Sequence, residues 1–141
     1  MHPHLKNVLA LLAGLVVGSL VNIGLVVAGP HVIALPEGAD ISSSEGLAAS
    51  MELFEARHFL FPWLAHALGT LAGAFTVAKL AASRPMTLAL VVGGFFLLAG
   101  IAMANTSGGP AWFIAADITL AYLPMGYLGG LLAGGRRREP V

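Results

Sequence analysis

The sequence predicts an all-α integral membrane four-helix bundle with both termini cytoplasmic, and three observations carry that expectation. Hydrophobic residues make up 57% of the chain and charged residues 10%, with a mean hydropathy of +0.86; a soluble domain carries about 25% charged residues. Four apolar runs, at about 5–29, 59–82, 86–106 and 111–134, each reach the roughly 20 residues that a helix needs to cross about 30 Å of hydrocarbon. Basic residues fall on one side of these runs: Lys6 before the first, Lys79 and Arg84 between the second and third, and Arg136, Arg137 and Arg138 after the fourth. The exception, Arg57, lies in the 30–58 connection with Glu37, Asp40, Glu45, Glu52 and Glu55, so the positive-inside rule puts that acidic connection outside. The 141 residues read as a single transmembrane domain.

Composition also excludes function classes. A formal net charge of zero argues against a nucleic-acid partner, because phosphate binding depends on clustered Lys and Arg. Cysteine is absent, which removes disulfides, thiolate metal sites, iron–sulfur clusters and a cysteine nucleophile. No nucleophile motif and no phosphate loop is present, so no catalytic residue, metal or cofactor is assigned. The lipid bilayer is the one partner that composition names.

The first apolar run exceeds the 7–15 residues of a signal-peptide core and no A-x-A cleavage site follows it, so it reads as an anchor. Ala10, Gly14, Gly18 and Asn22 recur at i+4 with Ser19 beside Asn22, a small-residue groove ending in an amide. The outer connection begins with turn residues, "ALPEGADI", and Ser42 with Glu45 three residues later spells a capping box. A short surface helix there aligns Leu47, Met51, Phe54 and His58 as an apolar stripe and forms a lid. Glu52, Glu55 and His58 read E-x-x-E-x-x-H, but a di-iron bundle needs E-x-x-H twice, so these residues are taken as a solvated face.

In the second run Pro62 falls in the first helical turn, where its missing N–H is tolerated. Pro62, His66, Gly69, Thr70 and Gly73 share about 80° of helix circumference, opposite Leu60, Leu64, Leu68, Leu71 and Phe75. Membrane helices gain packing energy by close backbone approach at small residues, so His66 points at protein and the leucines at lipid. The third and fourth runs join through a tight turn, "NTSGGPA".

In the fourth run Asp117, Ala121, Pro124 and Leu128 share one face, while Thr119, Tyr122, Gly126 and Gly130 lie near the opposite one. A corner helix of a bundle has neighbours about 90° apart, so the second face predicts a partner. Tyr122, Gly126 and Gly130 are assigned to a seam for a homo-oligomer or a larger membrane complex; Gly14, Gly18, Gly69 and Gly73 are the other packing glycines.

Asn22, His66 and Asp117 each lie six or seven residues below the outer end of their run, roughly 10 Å deep. An Asp at mid-helix costs about 2.5–3.5 kcal/mol on insertion scales, which makes a lone lipid-facing Asp117 improbable. Asn22, His66, Thr70 and Asp117 are therefore read as one intramembrane polar cluster, with His66 and Asp117 as mutual partners. A haem is not expected, since His66 is the one histidine well inside the hydrocarbon. The expected function is binding or conducting a small solute, ion or proton through this cluster. The alternative is a non-catalytic assembly or accessory subunit that packs against a membrane partner through its glycine-rich faces.

The segments "LVNIGLVVAGP", "LPEGAD" and "HFLFPWLAHALGTLAGAF" resemble parts of small uncharacterised four-span bacterial integral membrane proteins. That resemblance implies the four-span fold and a bacterial inner-membrane location, and brings no activity. The plan of four spans in a short chain is also similar to that of small multidrug transporters, which place a membrane-embedded Glu in their first helix; here the first helix offers Asn22.

Overall fold

The computed structural model describes residues 1–135. Arg136, Arg137 and Arg138, the basic run after the fourth span, lie outside the described residues. The described chain is helical without strands, and four of its segments are long and apolar enough to cross a membrane: Pro3–Val32, Ala56–Leu80, Pro85–Ser107 and Ala111–Leu132.

Helix α1 (Pro3–Val32) runs three residues past the expected end. Pro30 removes one N–H but falls in the last turn, where the Ile33 N–H still bonds the Gly29 carbonyl, so the helix survives it. A short helix α2 (Ser44–Ser50) follows, and two 3₁₀ turns, Met51–Leu53 and Ala56–Phe59, lead into α3 (Leu60–Leu80). The cap of α2 is Ser43, whose hydroxyl accepts from the Gly46 N–H at 2.9 Å, one residue later than the expected Ser42. Ser42 instead donates its N–H and hydroxyl to Asp40, at 2.9 and 2.6 Å. Helix α4 (Pro85–Ser107) starts after Arg84, whose φ of 49° is left-handed. That turn is tied to α1 by Asn7, whose amide accepts from the Ala82 and Ser83 N–H groups and donates to the Ser83 hydroxyl.

The fourth span is two helices rather than the single 111–134 helix expected. α5 (Ala111–Leu120) and α6 (Leu123–Leu132) meet at a bend at Ala121 and Tyr122. Pro124 is the cause: it has no N–H to give the Leu120 carbonyl four residues back, and its ring excludes that carbonyl from helical position. Tyr122 takes up the change with φ −116° and ψ −79°.

Helix α3 lies at the centre, against α1, α4 and α6, whereas α1 and α4 barely touch. Glycine permits the α1–α3 approach. A Cβ on Gly14 would sit 2.7 Å from the Gly73 carbonyl oxygen, and one on Gly73 2.6 Å from that of Gly14; Gly18 and Gly69 repeat the relation at 2.8 and 2.9 Å. The two backbones are therefore in contact along two turns. On the far side of α1, Leu12, Val16 and Leu20 are more than half exposed, the surface that a bilayer would cover.

The faces of α6 are also used within the chain. Gly126 packs on Gly93, Gly129 on the Leu71 carbonyl and Gly130 on Met86 and Ala89, while Tyr122 is 2% exposed. The expectation that Tyr122, Gly126 and Gly130 face a partner chain is corrected here: the bend turns them onto α3 and α4. The wheel that placed them opposite Asp117 assumed one unbroken helix.

Candidate binding site

Asp117 organises the polar centre. It sits six residues into α5 and is 5% exposed, and each of its carboxyl oxygens has one partner. Oδ1 lies 2.8 Å from His66 Nδ1, and Oδ2 accepts from the Tyr122 hydroxyl at 2.8 Å. His66 and Tyr122 also stack, with ring centroids 5.7 Å apart and planes 29° from parallel. In a continuous helix, residues five apart lie about 140° from each other. The bend at Ala121 is what lets Tyr122 return to Asp117.

The carboxylate is thus satisfied without a cation beside it. An ionised carboxylate only accepts, so with Asp117 charged the imidazole donates from Nδ1 and presents Nε2 as the free nitrogen. This orients the ring as an acid–base group is oriented, by a carboxylate behind it.

Two cavities meet at His66. The first, about 260 Å³, reaches from the pair to α2 and the 3₁₀ turns. Leu47, Met51, Phe54 and His58, the stripe expected at the membrane surface, line it and form its roof. His58 fixes that roof: its Nδ1 accepts from the Glu55 N–H at 2.9 Å, and its Nε2 donates to the Ala34 carbonyl at 3.1 Å. Both ring nitrogens are engaged, and no group of three potential metal ligands occurs among the described residues.

The second cavity, about 300 Å³, lies between α1, α3 and α4. Asn22, Ser19 and Thr70 line it together with His66, Gly100 and Met103, and the last three also line the first cavity. The four residues read as one cluster therefore divide. His66 and Asp117 are bonded, whereas Asn22 and Thr70 stand one turn deeper beside Gly69 and face the second cavity. Asn22 is lower than expected because α1 extends to Val32, ten residues or about 15 Å above it.

Towards the end of the molecule that carries Lys6 and Arg84, the interior closes. Ala10, Ala74, Val77, Ala78, Ala89 and Val92 form one buried apolar cluster, each at 2% exposure or less. Two buried side-chain polar atoms have no hydrogen-bond partner among the described residues, Trp63 Nε1 and Thr70 Oγ1.

Tyr122 is the member of the site that sequence reasoning assigned elsewhere. The signal for it was present in Pro124, which ends a helix four residues back and invalidates a single helical wheel. Comparison with protein families, with curated proteins and with solved structures returns no match.

Proposed function

We propose that this is a multi-pass protein of the bacterial inner membrane, with both termini cytoplasmic and the residue 30–58 connection outside. It binds a small, mainly apolar solute through one hydrogen-bonding group presented to His66. The orientation rests on the six-to-one distribution of basic residues, and the location on the resemblance described above. The observation that carries the function is that Asp117 uses both oxygens on His66 and Tyr122, with His66 bonded through Nδ1 while its ring lines an apolar cavity under a lid. A mostly apolar pocket with a few convergent polar groups is the usual form of a small-molecule site.

Binding is favoured over conduction by what lies beneath. A conducting path needs polar groups or water along its length, and the apolar cluster around Val77 and Val92 supplies neither. The test is thermal stability of the protein in nanodiscs with a panel of phenol, indole and short-chain alcohols. A ligand present at about a hundred times its Kd stabilises the folded state by about 2.7 kcal/mol. Wild type gains stability with at least one probe, and His66→Gln and Asp117→Asn do not. No gain for wild type with any probe, or equal gains in all three proteins, refutes the reading.

A further inference from the structure

The second cavity opens sideways. Ile23, Phe95 and Met103 on its rim are 58%, 53% and 51% exposed, and they belong to α1 and α4, the spans that barely touch. This opening faces what would be the hydrocarbon.

Inside it, Thr70 is out of keeping with three other helical threonines. Thr76, Thr106 and Thr119 each donate their hydroxyl to the carbonyl four residues earlier, on Ala72, Ala102 and Ala115. Thr70 is 1% exposed and its Oγ1 has no partner. A buried hydroxyl left unpaired costs about 1–3 kcal/mol, a cost that an acceptor or donor brought from outside the chain would relieve. Water alone is a poor occupant. Its share of volume is about 30 Å³ and it needs two or more polar partners, whereas Phe95, Phe96, Ala99 and Met103 make most of the wall apolar.

We propose that this lateral cavity admits an uncharged, hydroxyl-bearing single-chain amphiphile from the bilayer and holds its hydroxyl among Thr70, Asn22 and His66. This rests on the solute-binding reading and names the class of solute and its route. The head group is neutral because no Lys, Arg, Asp or Glu lines this second cavity, and an unpaired charge taken from water into such surroundings is not compensated. It is a hydroxyl because that group both donates and accepts, which suits an imidazole acceptor beside a threonine and an amide. A cavity of about 150 Å³ holds benzene; one of about 300 Å³ takes the head and roughly the first ten atoms of a chain whose remainder lies between Ile23 and Phe95.

The experiment uses the full chain in phosphatidylcholine nanodiscs and three diazirine probes on one alkyl chain, ending in a hydroxyl, a carboxylate or a quaternary ammonium. The alcohol labels Ile23, Phe95 or Met103 saturably and the charged probes do not. Thr70→Val, which removes an unpartnered hydroxyl at constant shape and leaves the melting temperature at or above wild type, weakens alcohol labelling about fivefold, the worth of one net hydrogen bond. Equal labelling by all three probes, or labelling unchanged by Thr70→Val, overturns the proposal. Saturable labelling confined to Met51 and Phe54 and lost in Asp117→Asn also overturns it, while leaving the lidded site intact. Stabilisation by short solutes without saturable labelling by any chain separates the two in the same way.

Discussion

The phenol of Tyr122 occupies the space that Gly100 leaves open. A Cβ at Gly100 would collide with the Tyr122 hydroxyl and its ring carbon, and it is from this position that the hydroxyl reaches Asp117 Oδ2. Gly100 on α4 thereby sets the geometry of a carboxylate on α5.

Gly100→Ala is accordingly expected to displace Tyr122 and to cost about 1–3 kcal/mol, from overpacking and from the lost bond to a buried carboxylate. Tyr122→Phe removes the bond and keeps the ring. If displacement of the hydroxyl is the cause, adding Tyr122→Phe to Gly100→Ala leaves a smaller further loss than it causes alone. Thermal melts of the four proteins in one detergent, treated as a double-mutant cycle, check this; strictly additive losses contradict it.

The α1–α3 contact depends on backbone approach. A methyl group at Gly14 meets the Gly73 carbonyl, and one at Gly18 meets both the Gly69 carbonyl and Phe96. Gly14→Ala and Gly18→Ala should each destabilise by about 1–3 kcal/mol, whereas Gly24→Ala, which meets nothing within 4 Å, should be neutral or slightly stabilising through helix propensity. Unfolding in mixed detergent distinguishes the three.

The face carrying Gly69, Gly73 and His66 was legible because α3 is one regular helix, so 100° steps place its residues correctly. The meeting of His66 with Asp117 followed from counting depth on two helices. Tyr122 was not legible in that way, because the wheel was carried through the break that Pro124 makes. Asn22 was misjudged in depth for a related reason: its apolar run was ended at about residue 29, but a proline in the last turn sacrifices one bond and the helix continues to Val32. The lid was visible as a helix, and its 3₁₀ turns and inward apolar stripe depend on His58 bonding Ala34, a long-range contact that local pattern does not encode.

At the start of the lid, the Ser42 hydroxyl and N–H hold the Asp40 carboxyl below its usual range. A group whose pKa is depressed by folding stabilises the folded form above its unfolded value, about 3.9, and that contribution is lost as pH falls through the lower folded value. Protection of the Ser42 amide, its exchange relative to that of an unstructured amide at the same pH, should therefore fall at pH below about 4 in wild type. Asp40→Asn should exchange faster at neutral pH and show no such step; an identical step in the variant would assign it to another group.

The orientation is tested by single cysteines at Ser43 and Ser83, introduced into a chain that has none. A membrane-impermeant maleimide should label Ser43→Cys in intact cells and Ser83→Cys after the membrane is opened. Labelling of position 83 from outside would reverse the proposed topology.

The central claim is that Asp117 holds His66 through Nδ1 and leaves Nε2 as the acceptor at the meeting of two cavities. Nitrogen-15 NMR of histidine-labelled protein in nanodiscs reads this directly. Wild type should show His66 protonated at Nδ1, with an Nε2 resonance that 1-decanol shifts saturably while those of the other histidines stay fixed. In Asp117→Asn the amide donates to Nδ1 and still accepts from Tyr122, so the ring proton moves to Nε2, the response to decanol disappears and the melting temperature stays close to wild type. An Nε2-protonated His66 in wild type, or an Nε2 resonance indifferent to saturating decanol, would contradict the account.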